Sequence, residues 1–168
     1  KTVRLGIGAS TEVGPMMRAK WSNQRSGNMA SLIEANLQMS FKNQYFIFSS
    51  DRYMWREAPR RSLLTTFELE RNDQTTYQET TASLKPHLKW TADTSSRQWT
   101  WTTGPTIIFG SYIDNSNDSD TKRIRTGVLE GMLQTQSHTY EIFDIHPEAG
   151  DFMQFNFDFR HPSMGFVD

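Results

Sequence analysis

An all-β antiparallel meander is the fold class this sequence predicts, on three observations. Residues 153 to 160 read Met-Gln-Phe-Asn-Phe-Asp-Phe-Arg, large apolar side chains alternating without a break with polar ones, the period-2 signature of a strand with two unlike faces. The same alternation recurs in segment after segment, for example Ile33, Ala35, Leu37, Met39 and Phe41 against Glu34, Asn36, Gln38 and Ser40. The segments are joined by short stretches rich in Gly, Pro, Asn and Asp, such as 42 to 44 and 146 to 151, which reverse the chain and set neighbours antiparallel.

In the first strand Val3, Leu5, Ile7 and Ala9 share a face, while Gly6 and Gly8 leave the other face thin and weaken its pairing. Gly14-Pro15 leads into a second strand, with Met17, Ala19 and Trp21 opposite Arg18 and Lys20, and a turn is expected from Ser22 to Asn28. The third strand is the one from Ile33. The fourth, Tyr45 to Trp55, begins apolar on both faces, so its facing stays open; Pro59 ends it. The fifth sets Leu63, Thr65, Phe67 and Leu69 against Ser62, Thr66, Glu68 and Glu70.

The sixth sets Ala82, Leu84, Leu88 and Trp90 against Ser83, Lys85, His87 and Lys89. The seventh sets Trp99, Trp101, Ile107 and Phe109 against Gln98, Thr100, Thr102 and Thr106. Pro86 and Pro105 each remove a ladder donor inside these strands, which predicts a bulge or a break. Asp114 to Asp120 is a solvated loop without the Gly and terminal Glu of a calcium-binding loop. An eighth strand from about Arg123 to Asp144 is expected to slip phase near Gly127 or Gly131, a ninth is the stretch from Met153, and residues 161 to 168 carry no closing signal.

Composition narrows the class of function. A net charge of -1, from 18 basic and 19 acidic residues spread along the chain, leaves no footprint for nucleic acid. With no cysteine there is neither a disulfide framework nor a thiolate metal site. No apolar run approaches the ~20 residues of a spanning helix, yet a mean hydropathy of -0.66 fits a membrane barrel, whose strands are only half apolar. Residues 1 to 168 read as one β-barrel segment, and a start at Lys1 reads as a mature chain or an excised piece.

Alternation alone fits a soluble sandwich as well as a membrane barrel, and the aromatic residues break the tie. In a meander the turns fall alternately on two rims. Trp21, Trp55, Trp90, Trp99 and Trp101 flank the rim carrying the turns near 22 to 30, 56 to 61, 92 to 97 and 146 to 150. Tyr45, Tyr77 and Tyr112 flank the other. Two aromatic girdles belong at two membrane interfaces, where a soluble sandwich would place Trp in mid-core. The predicted architecture is therefore part of a transmembrane β-barrel with about nine strands, an odd number that points to a larger closed sheet.

The stretch Gly6-Ile7-Gly8-Ala9-Ser10-Thr11-Glu12-Val13-Gly14-Pro15, with Arg18 and Trp21, resembles the first hairpin of the bacterial surface antigen barrels, the outer-membrane insertase superfamily, and within it the TamA-like branch. His146-Pro147-Glu148-Ala149-Gly150-Asp151 is similar to that family's turn between strands eight and nine, through Pro147, Gly150 and Asp151. The resemblance implies a 16-stranded barrel of which this chain is the first half, with POTRA repeats and the second half lying outside it. It implies a bacterial outer-membrane location and assistance in inserting or translocating other outer-membrane proteins through a lateral gate. The gate strand would be the first, Val3, Leu5, Gly6, Ile7 and Gly8. The implied partners are the lipid bilayer, client outer-membrane polypeptides and a periplasm-spanning partner subunit; no cofactor is implied.

Read from the residues themselves, a glycine-weakened first strand supports an edge that receives a client strand, while close packing beneath a lumen plug, or a bulge, would explain the same glycines. An enzyme, such as a barrel fused to a patatin-like phospholipase, finds little to stand on in this chain. Ser137 and His138 are adjacent on a strand and face opposite ways, His146 and His161 precede prolines, and His87 lies between Lys85 and Lys89. A passive pore would use the same charged lumen, and a soluble lipocalin-like binder would need its tryptophans in mid-strand rather than at a rim.

Overall fold

A computed structural model describes residues 1–11, 14–26, 31–53, 60–94, 97–115, 121–137, 151–160 and 165–167. The alternating segments form β1 (Thr2–Ser10), β2 (Gly14–Ser26), β3 (Ser31–Ser40), β4 (Asn43–Tyr53), β5 (Arg61–Asp73), β6 (Tyr77–Asp93), β7 (Arg97–Asp114), β8 (Thr121–Ser137), β9 (Phe152–Phe159) and β10 (Gly165–Val167). Each strand from β1 to β9 pairs antiparallel with the next in one sheet, the predicted meander. No strand among the described residues covers the outer edge of β1. The architecture is all-β and compatible with part of a barrel.

Of four details, three depart from the sequence expectations and one, at the prolines, settles an alternative they left open. First, β2 runs on to Ser26 through a register shift between Asn23 and Ser26, where a turn was expected from Ser22. Second, β8 keeps one unbroken register with β7, so no phase slip occurs at Gly127 or Gly131. A Cβ on Gly131 would overlap the ring of Phe157, which lies across it from β9. The glycine that interrupts the apolar pattern makes room for an aromatic ring from the neighbouring strand.

Third, the prolines cause a break without a bulge. The β6–β7 ladder lapses between Leu84–Ile107 and Leu88–Thr103, yet both pairs belong to the same register, which sets Pro86 opposite Pro105. Placing both missing donors in one gap confines the lost hydrogen bonds to one site. Beside it, a Cβ on Gly104 would collide with the Pro86 carbonyl and the His87 backbone, so the strands approach there as only glycine permits.

Fourth, the end of the chain is paired after all: Gly165, Phe166 and Val167 lie opposite Thr126, Arg125 and Ile124. β10 occupies the same side of β8 as β9 and runs the same way. Thr126 and Leu129 are three apart on β8 while their partners Gly165 and Phe159 are six apart, so β10 does not continue the register of β9. Three strand residues after Pro162 are too few to show an alternation.

The sheet is a single layer. Val128 is the one large apolar side chain deeply buried among the described residues; the other buried side chains are Ser and Thr shadowed by larger neighbours. Cross-strand partners share a face, so the registers sort the whole sheet into two. One face holds Val3, Met17, Met39, Phe48, Phe67, Leu84, Ile107, Leu129 and Phe157, and the other holds Arg4, Lys20, Glu34, Glu68, Lys85 and Glu130. In β4 the open question resolves with Phe46 and Phe48 on the apolar face and Tyr45 and Ile47 on the polar one.

Candidate functional site

Two surfaces carry chemistry: the apolar belt and the edge of β1 that no described strand covers, beside the polar face. Along the belt every charged side chain among the described strand residues sits near a rim. Arg52, Arg61 and Arg97 lie toward the rim where β4 ends and β5 and β7 begin. Arg71, Asp73, Arg123 and Arg125 lie toward the opposite rim. Two of these cations rest on terminal aromatic rings of the belt, Arg97 at 5.9 Å from the Trp99 ring centre and Arg125 at 5.5 Å from that of Phe109. An arginine there covers apolar surface with its stem and keeps its head wet.

Trp21, Trp90, Trp99 and Trp101 all stand on the apolar face toward the first rim. Trp99 and Trp90 lie two and three residues from their strand ends, Trp101 and Trp21 four and five residues in. Trp90 is directly opposite Trp101, and Trp101 is edge-on to Phe157 at 6.2 Å. Trp55 lies outside the described residues.

The second expected girdle is corrected. Tyr45, Tyr77 and Tyr112 do lie toward the second rim, but on the polar face: Tyr45 opposite Gln38 and Glu70, Tyr112 opposite Glu79 and Lys122, Tyr77 opposite Asp114. Tyr77 and Tyr112 stack with ring centres 5.6 Å apart. Strand parity turns them away from the face that the tryptophans occupy. At that rim the belt ends instead in Phe109 beneath Arg125.

The polar face is cross-linked. Lys20 pairs with Glu34 at 3.1 Å, Lys85 with Glu68 at 2.7 Å, and Lys89 reaches over β5 to Asp51 at 3.0 Å. Ser83 also donates to Glu68 at 3.1 Å. His87, expected on this face, sits with Nε2 3.2 Å from Thr106 Oγ1 and 3.9 Å from Glu130. His138, His146 and His161 lie outside the described residues. No group of three His, Asp or Glu side chains placed to hold a metal occurs among the described residues.

The expected gate strand is a regular edge. Val3, Leu5 and Ile7 are 65%, 78% and 93% exposed on the apolar face, and β1 pairs with β2 from Thr2 to Ser10 without a bulge. A Cβ on Gly6 would meet nothing within 4 Å, and one on Gly8 would make ordinary contact with Met16. No bulge occurs at these glycines, and among the described residues nothing packs closely on them; they thin the polar side of the β1 edge.

Of the family-turn residues, Pro147 and Gly150 lie outside the described residues. Asp151 receives the Arg97 guanidinium at 3.0 and 3.1 Å and hydrogen-bonds the Ser137 hydroxyl, while the Ser137 amide donates to the Asp151 carbonyl at 2.9 Å. It ties the end of β8 to the start of β9 and to β7, a role that no pattern in the sequence announced. No protein-family model matches the chain, and a search of curated proteins finds none that matches it.

Proposed function

We propose that this chain is the leading portion of a bacterial outer-membrane β-barrel, and that the free edge of β1 receives strands of other outer-membrane polypeptides during their insertion or translocation. The observation that carries the membrane reading is the bounded, charge-free belt on a sheet that no second layer covers among the described residues. Arg61 and Arg71 are ten residues apart on β5; at ~3.3 Å per residue and a strand tilt of ~40°, the belt between them is ~25 Å tall. That is the height of the apolar band of an outer-membrane barrel. Uncovered in water, a continuous patch of this breadth would drive association.

For the edge, the support is physical. An unpaired row of N–H and C=O groups, with alternate apolar side chains beside it, pairs with an added strand by exchanging one set of backbone hydrogen bonds for another, with no covalent step. The resemblance of the first hairpin to the insertase superfamily points the same way, and brings with it the expected periplasm-spanning partner and a 16-stranded barrel whose lateral gate opens between the first and last strands. A photo-cross-linking side chain at Ile7 tests it: client outer-membrane polypeptides caught there during insertion, but not from Phe67 in mid-sheet, support the reading. Adducts from Phe67 as abundant as those from Ile7 would refute it.

A passive pore is the second reading, favoured by the paired charges of the polar face, which suit a wet lumen. Steady single-channel conductance without capture at β1 would favour it.

A further inference from the structure

We propose that the free edge of β1 selects strands carrying a carboxylate on their polar face, with Arg4 and Arg18 as the residues that determine this specificity. The inference rests on the edge-acceptor reading above and specifies the chemistry of what the edge takes. The β1–β2 register sets Arg4 directly opposite Lys20 and Arg18 directly opposite Gly6, all on the polar face. Three cations thus occupy three corners of a two-by-two block, and Gly6 is the fourth.

Lys20 is satisfied by Glu34 at 3.1 Å. Arg4 and Arg18 are exposed and have no ion pair or hydrogen bond among the described residues. Like charges directly opposite one another on a sheet repel, so the Arg4–Lys20 pair is left needing an anion.

Geometry says from where the anion comes. The recess at this corner, about 500 Å³, is bordered on its polar side by Arg4, Arg18 and Lys20 with Asn36, Gln38 and Tyr45, every one a hydrogen-bond donor. Gly6 leaves its own corner open. A strand added to β1 lies ~4.8 Å away, so a side chain opposite Arg4 or Gly6 projects over the glycine toward both guanidinium groups. Asp or Glu there completes the block. On the other face the exposed Val3, Leu5 and Ile7 demand apolar residues at the flanking positions. The recognised segment is therefore extended, apolar at alternate positions, and acidic between them. A second copy of this chain pairing β1 against β1 would bring two such cationic blocks together, so charge argues against self-association at this edge.

The test uses the full chain in phospholipid vesicles with Leu5→Cys as its only cysteine, since the chain has none. Three extended ten-residue peptides are offered, alike in alternating apolar pattern and single cysteine, and differing by Asp, Asn or Lys at the neighbouring polar position. With copper-phenanthroline as oxidant in every sample, the inference predicts at least about fivefold more disulfide with the Asp peptide than with the Lys peptide, Asn falling between. Arg4→Gln with Arg18→Gln closes the gap, and Arg4→Lys with Arg18→Lys retains it; both sites are exposed and neither exchange disturbs packing. Equal yields with all three peptides overturn the charge selection and leave the acceptor edge standing. No disulfide with any peptide removes both. A dominant disulfide between two copies of the chain replaces the acidic strand with a second copy.

Discussion

Placing an arginine on the apolar face at mid-belt is the perturbation most sensitive to what surrounds this sheet. Phe67 stands on that face between Phe48 and Leu84, four residues from Arg71 and six from Arg61. At ~3.3 Å per residue and ~40° of tilt it lies ~10 Å from the level of one rim arginine and ~15 Å from the other, close to the middle. Phe67→Arg should cost about 2 to 4 kcal/mol, the penalty for a cation at the bilayer midplane. Leu69→Arg, two residues from Arg71, should cost no more than about 1 kcal/mol because its head reaches the interface. Ser49→Arg, on the polar face opposite Glu34, should cost less than about 1 kcal/mol. The assay is reversible urea unfolding in phospholipid vesicles, followed by tryptophan fluorescence. Equal costs at Phe67 and Ser49 would refute the facing, and equal costs at Phe67 and Leu69 would refute the depth.

Other outcomes follow from the same geometry. Gly104→Ala should destabilise by about 1 to 3 kcal/mol and should not be rescued by His87→Ala, because the clash is with backbone, measured by the same unfolding. Gly131→Ala should cost about 1 kcal/mol alone and much less in a Phe157→Ala background, since there the obstacle is a ring; additive costs would contradict the overlap. Removing Glu68 in a Glu68→Ala variant should cost about 1 kcal/mol, an effect that shrinks when Lys85→Met is also present and that weakens with salt. Asp151→Ala removes the carboxylate that holds Arg97 and the Ser137 hydroxyl. By freeing the β8 end it should speed exchange of the Ser137 amide, which donates to the Asp151 backbone carbonyl, with protection in mid-β8 unchanged.

Period-2 alternation made the strands, their order and the composition of the two faces legible, because each strand carries its own facing in its own residues. Ile33 to Phe41 and Met153 to Phe159 needed no partner to be read. What depended on a neighbour was not legible. The distance of Tyr45, Tyr77 and Tyr112 from the turns revealed their rim, but their face is set by parity relative to Glu70, Asp114 and Glu79 on adjacent strands. Gly131 read as a slipped phase because the ring that fills its place comes from β9. Pro86 and Pro105 each signalled a lost donor, and only the register reveals that they share one gap. At the edge, Gly6 and Gly8 were legible as weak points, whereas the cationic block around Gly6 required the pairing of β1 with β2.

Whether the belt faces lipid decides both the membrane reading and the role of the β1 edge. Four single-tryptophan variants, retaining Trp21, Trp90, Trp99 or Trp101, can be placed in vesicles whose lipids are brominated either near the headgroups or deep in the acyl chains. With the belt in lipid, bromines should quench all four, since all stand on the apolar face. Shallow bromines should quench most strongly at Trp99 and Trp90, two and three residues from their strand ends, and deep bromines more strongly at Trp101 and Trp21, four and five residues in. Fluorescence unaffected by bromine at any depth would place the belt against protein or water, and the membrane reading and the acceptor edge built on it would both fall.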